Sequence, residues 1–218
     1  MQGNYNLKEE FKKDWWICGI ILFVWIFTIF IYKSLPSSIP MHWNISGQAD
    51  SFGSKSNIFL LPAVITGVYF LTVFVPLIDP KRANYGKFSS SYRVIRGVLV
   101  VFLSVIYFAS VFIALGYKID INVVINFFIS IMLIVFGSVM GKLYHNYFVG
   151  IRTPWTLADE EVWNKTHKFG GKVWVTAGVI GVLVSFIKGT WVSIFIFILL
   201  FVAVLIPVVY SYIIYKNK

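Results

Sequence analysis

The sequence predicts an all-α polytopic membrane protein with six transmembrane helices, both termini cytoplasmic, one long extracellular loop and a cytoplasmic interfacial helix. Three observations carry that class. Of the 218 residues, 58% are hydrophobic and only 13% charged, whereas soluble domains hold about 25% charged residues. The mean hydropathy of +0.79 also excludes intrinsic disorder. Six apolar runs are free of charge and long enough, or nearly so, to cross a hydrocarbon layer of about 30 Å. Finally, 15 of the 19 Lys and Arg residues fall in alternate connecting segments and 4 in the others. The basic set belongs on the cytoplasmic side. Both termini carry it, which demands an even number of spans.

In chain order the spans are Trp15–Tyr32, Ile58–Ile78, Gly97–Leu115, Ile121–Gly141, Val173–Ile187 and Trp191–Tyr212. The first has basic residues ahead of it but no small-residue cleavage site behind, so it is read as an uncleaved span rather than a signal peptide. Gly137 and Gly141, and Ala177 and Gly181, form small-xxx-small pairs that suit close helix packing. Pro207 lies inside the sixth span and predicts a kink there. The fifth and sixth spans are separated only by Lys188-Gly189-Thr190 and form a tight antiparallel pair. Residues 1–218 make a single membrane domain. The first two spans and the outer loop 33–57 occupy 1–78, spans three and four 97–141, the inner motif loop 142–172, and the last two spans 173–218.

The net charge of +10 invites a nucleic-acid reading. The positive-inside surplus accounts for it, and these charges lack the dense basic face that direct nucleic-acid binding needs. Cys18 is the one cysteine, so no intrachain disulfide and no Cys/His metal motif exists. No ionisable residue falls inside the spans as drawn, which argues against ion-coupled transport and intramembrane catalysis. No cofactor, metal site or catalytic residue is expected, and specificity is assigned to two loops.

The outer loop reads LPSSIPMHWNISGQADSFGSKSN over 35–57. Ile39–Ile45 suits a short strand, Ser46-Gly47-Gln48 a turn, and Phe52-Gly53-Ser54 a second turn. His42, Trp43, Asn44 and Asp50 come together there. One reading is a recognition surface for an extracellular ligand with Trp43 as its anchor. The other is a small cap in which His42 and Asp50 pair with each other.

The inner loop reads KLYHNYFVGIRTPWTLADEEVWNKTHKFGGK over 142–172. Thr156 with Asp159 matches a capping box, and Gly170-Gly171 matches a helix stop. These signals predict a short helix over 157–169, with Glu161 four residues from Lys165. Trp155, Val162 and Phe169 share a face that would lie along the membrane interface. The alternative to interfacial packing is a docking surface built on Arg152, Pro154, Trp155, Asp159, Glu160, Trp163 and His167. His145 and His167 are placed to pair with the carboxylates.

Both loops carry a resemblance. The run Leu35-Pro36, Ile39-Pro40, His42-Trp43-Asn44, Gly47, Asp50, Gly53, Lys55 resembles the outer-loop signature of a bacterial membrane domain found alongside the SdpI family. Residues Asn146 to Trp163, with Gly150-Ile151-Arg152-Thr153-Pro154-Trp155-Thr156-Leu157, resemble the signature of the SdpI family itself. The resemblance implies a multi-pass protein of a bacterial plasma membrane that gives immunity to a secreted peptide toxin. It also implies signal transduction, in which a cognate cytoplasmic transcriptional repressor is held at the membrane. Two alternatives stay open. One is an exporter of a peptide or lipid-like substrate. The other is a surface-acting membrane enzyme built on His145, His167 and the 159–161 acidic run.

Overall fold

The computed structural model describes residues 5–218. Two helices come first, α1 (Leu7–Lys13) and α2 (Trp15–Ile31). Asn6 starts α1 by accepting hydrogen bonds from the backbone N–H groups of Lys8 and Glu9. An antiparallel hairpin follows, β1 (Ser38–Trp43) and β2 (Ala49–Ser54), and leads into α3 (Leu60–Ile78). Then come α4 (Tyr85–Ala114) and α5 (Ile121–Met140), whose first turn is capped by Asp120. A loop and the one-turn helix α6 (Pro154–Ala158) precede α7 (Glu160–Ser185) and α8 (Thr190–Lys216).

Helices α2, α3, α4, α5, α7 and α8 are each long and apolar enough to cross a membrane. The chain is a multi-pass membrane protein. Many of its largest apolar side chains point outward, Phe30, Leu183 and Phe197 among them. That pattern fits helices whose outer faces meet lipid rather than water.

The bundle has two halves. In the first, α2, α3 and α4 close around Ile17, Val24, Ile65, Tyr69, Val100 and Tyr107, and the base of the hairpin joins through Leu35 and Ile39. In the second, α5, α7 and α8 close around Leu133, Ala177 and Ala203. The expected close approach of α5 is present. A Cβ on Gly137 would lie 2.6 Å from the Gly171 carbonyl oxygen, and one on Gly178 would lie 2.7 Å from that of Ser130. Helices α7 and α8 form the expected antiparallel pair, joined by the Trp174 indole donating to the Ala203 carbonyl at 3.0 Å.

Four expectations are corrected. Gly170 and Gly171 do not stop a helix. The chain stays helical from Glu160 to Ser185 because the bare backbone there packs against Gly137, Ile151 and Pro207. The cost of glycine within a helix, about 1 kcal/mol each, is offset by that contact. The separate helix over 157–169 is therefore replaced by α6 and the first turns of α7. Thr153 caps α6 in a box with Thr156, and Asp159 caps α7 by accepting from the Val162 N–H.

Phe52-Gly53-Ser54 is not a turn but part of β2, paired with Ser38–Pro40. Lastly, the third span begins near Tyr85 rather than Gly97, with a break in helical geometry at Phe88. Tyr85, Phe88, Tyr92 and Arg96 are all buried, so apolarity alone misplaced its start. The longer helix carries Arg93 and Arg96 in the turns ahead of the apolar run that begins at Gly97.

Candidate functional site

The two loops lie at opposite ends of the bundle. At the hairpin end, Asn44 builds the turn. Its side-chain oxygen accepts from the N–H groups of Ser46 and Gln48 at 3.0 and 3.1 Å. Gly47 then takes φ +76°, a left-handed conformation that glycine adopts without strain. His42 Nδ1 and Asp50 Oδ1 lie 2.6 Å apart on the exposed surface. Trp43 is half-buried and turned towards α3 and α4. The turn leans on the second half of the bundle, where the Asn122 amide donates to the Ile45 carbonyl at 2.9 Å. Of the four residues expected here, His42 and Asp50 face solvent, Trp43 faces inward and Asn44 holds the turn.

At the motif end the polar groups are buried. Asn146 is fully buried. Its amide donates to the carbonyls of Tyr144 and Val149, and its oxygen accepts from the N–H groups of Phe148 and Val149. Asp79, at the end of α3, accepts from the Tyr85 hydroxyl at 3.0 Å and the Tyr147 N–H at 2.9 Å. These two residues fold loop 141–153 onto the bundle. The Trp163 indole donates to the Leu143 carbonyl at 2.7 Å, and its ring stacks on His167 with centroids 4.0 Å apart.

His167 accepts from the Ile151 N–H on Nε2 and faces the Trp163 carbonyl with Nδ1. That geometry defines the neutral tautomer protonated on Nδ1. Gly150, at φ +116°, passes so close that a Cβ there would strike His167 Nε2. His145 lies against Trp163 and leaves its Nε2 without a partner among the described residues. Burial holds its pKa below the ordinary value, and the Lys81 charge adds to that. The expected pairing of His145 and His167 with carboxylates does not occur. Both rings are buried among Trp163, Tyr147 and backbone groups instead.

The residues expected to dock a partner divide by burial. Arg152, Pro154 and Glu160 are exposed, with Arg152 Nη1 donating to the Tyr147 carbonyl at 2.7 Å. Trp155 is half-buried against Tyr212. Asp159 pairs with Lys218 at 2.6 Å, which with the Val162 N–H holds its carboxyl below the usual range. Glu161 pairs with Lys165 at 2.8 Å, as the spacing predicts. Trp163 and His167 lie inside and present nothing to solvent.

Three comparisons place this arrangement. The SdpI/YfhL protein family model matches residues 142–211. Immunity protein SdpI of Bacillus subtilis is 30% identical over 199 residues, 91% of this chain and 93% of that protein. The chain belongs to the SdpI/YfhL family. The part matched by the SdpI/YfhL model holds the motif loop, α6, α7 and most of α8. A second model, a domain of unknown function (DUF1648), matches residues 19–66, which span most of α2, the hairpin and the start of α3. An uncharacterized protein of Archaeoglobus fulgidus is 35% identical over 46 residues, 21% of this chain and 25% of that protein. No solved structure matches.

A buried ion cluster lies outside both matched segments and was missed in the sequence. Arg96 bonds Glu10 at 2.7 Å and Asp14 at 3.1 Å, and Arg93 reaches the same two carboxylates at 3.3 and 3.4 Å. Burial pushes the Asp14 carboxyl up, against the pull of Arg96. Glu10 and Asp14 are one helical turn apart, as are Arg93 and Arg96, and that matched spacing was the available signal. Asp79 and Asn146 were missed for a different reason. Most of their partners are backbone groups, which carry no sequence signature.

Proposed function

We propose that the protein is an immunity protein of a bacterial plasma membrane, protecting its producer from a secreted antimicrobial peptide by binding rather than by catalysis. The carrying observation is the alignment with an immunity protein over 91% of the chain. In this reading both termini are cytoplasmic and the hairpin is extracellular, as the basic-residue bias requires. His42, Trp43, Asn44 and Asp50 form or support the surface that meets the peptide. The peptide acts only through its differential affinity for two states of the bundle.

The exposed part of the motif end, with Arg152, Pro154, Trp155, Asp159 and Glu160, docks a cytoplasmic repressor. Trp163 and His167 hold that surface in shape from within. The fixed polar core of the motif loop supports this half of the reading, because a docking face must keep its form.

The first test is protection. Bacillus subtilis cells lacking their own immunity protein, supplied with this chain and challenged with toxin-containing supernatant, are expected to survive. Killing at the rate of empty-vector cells, with the chain present in the membrane, would sink the reading. The second test is topology. Reporter fusions at Gly47 and Lys218 are expected on opposite sides, and finding both on one side rejects the orientation.

A further inference from the structure

Beneath β1, where α3 begins and α4 ends, lies a partly enclosed cavity of about 220 Å³. Met41 and Trp43 of the hairpin, Leu61 of α3 and Ile106 of α4 supply apolar walls. Ser110 and Asn57 are polar groups on the same walls. Ser110 is 8% exposed, yet its hydroxyl has no hydrogen-bond partner among the described residues. Ser104, earlier in the same helix, donates back to the Val100 carbonyl at 2.7 Å, the usual solution for a buried helical serine. The indole N–H of half-buried Trp43 is likewise without a partner among the described residues, while Asn57 at the rim is exposed to solvent. An apolar chamber with a few unmet polar groups is the ordinary composition of a ligand site.

Size and chemistry select the occupant. A dry apolar cavity of about 150 Å³ admits benzene, so this one holds a phenyl, indole or branched aliphatic group. An acyl chain would fill the space but leave the serine and indole groups unmet. A peptide supplies both parts, an apolar side chain for the walls and a backbone amide for the polar groups. We propose that this chamber receives one large apolar side chain of the secreted peptide, with Ser110, Asn57 and the Trp43 N–H meeting its backbone. The proposal rests on the immunity reading and names the part of the peptide that is recognised.

The test uses the full chain in phosphatidylglycerol/phosphatidylethanolamine nanodiscs. Saturation-transfer NMR follows two probes, N-acetyl-phenylalaninamide and nonanoate. Ile106→Trp fills the chamber, and Ser110→Ala removes one hydroxyl without adding bulk. Transfer to the phenyl ring is expected to fall to the level of protein-free nanodiscs in Ile106→Trp. In Ser110→Ala the affinity for the amide probe is expected to fall about fivefold, the effect of one hydrogen bond. Nonanoate should respond to neither change.

In cells, Ile106→Trp should lose protection at wild-type membrane abundance. Unchanged ring transfer in Ile106→Trp overturns the proposal. Loss of nonanoate transfer alone overturns it too, because the occupant is then a lipid chain. Full protection by Ile106→Trp rejects the chamber while the immunity reading stands. A wild-type chain that binds the amide probe but protects no cells removes the immunity reading, and with it the toxin as occupant.

Discussion

The hairpin and the motif loop are both dense in polar and aromatic residues, and the fold uses them in opposite ways. In the hairpin, the close pair of His42 with Asp50 is exposed, and the turn is made by one asparagine over five residues. In the motif loop, the asparagine and both histidines are buried and bonded or stacked within the bundle. An exposed pair is worth little to folding and is free to change partners. A buried polar network holds one shape, because any unmet member costs its full desolvation. The same residue types thus give an adaptable surface at one end and a fixed one at the other.

Substitutions can break this contrast, and the largest effect belongs to the buried ion cluster that ties Glu10 and Asp14 to α4. Arg96→Met leaves Glu10 and Asp14 short of a buried partner and should cost about 3–5 kcal/mol. The check is the loss of folded, detergent-stable protein on size-exclusion chromatography. Asn146→Ala strands two N–H groups and two carbonyls and should cost about 3 kcal/mol, read as a fall in thermal midpoint. Gly150→Ala combines a positive φ with a collision at His167, for about 2–3 kcal/mol. Its signature is faster amide exchange confined to residues 145–153.

A smaller effect depends on pH. The native pKa of His145 is lowered, so below about pH 6.5 the unfolded chain takes up a proton that the folded chain refuses. Stability contributed by neutral His145 is present above that pH and is lost as pH falls through it. Wild type and His145→Phe, compared between pH 7.5 and 5.5, should diverge in thermal midpoint, with only the wild type falling on this account. A midpoint gap that is constant over this range removes His145 as the source.

The smallest effect on stability belongs to the hairpin. His42→Ala and Asp50→Ala should each change it by less than about 1 kcal/mol. If the hairpin meets the peptide, protection should drop in both variants nonetheless. A large loss of stability in either would erase the contrast between the two ends.

Much of the architecture was legible because membrane spans declare themselves by apolarity. The first strand and the turn at Ser46-Gly47-Gln48 were legible too, whereas β2 was not, because Phe52-Gly53-Ser54 becomes a strand only by pairing with Ser38–Pro40. The start of α4 was not, because Tyr85, Tyr92 and Arg96 are amphipathic and become buried only through partners distant in sequence. The Gly170-Gly171 pair reads as a stop in isolation and becomes a contact once α5 is beside it. The burial of Trp163 is another tertiary result. It follows from the Leu143 carbonyl and the two histidines converging on one ring, and no local pattern encodes that.

The ion cluster also bears on how the chain is assembled. Glu10 and Arg96 are separated by 86 residues, so the carboxylates leave the ribosome two full spans before the guanidinium groups that need them. Helix α4 is made with two arginines whose counter-charges sit on an already synthesised segment. Docking of that segment is therefore a late step of biogenesis.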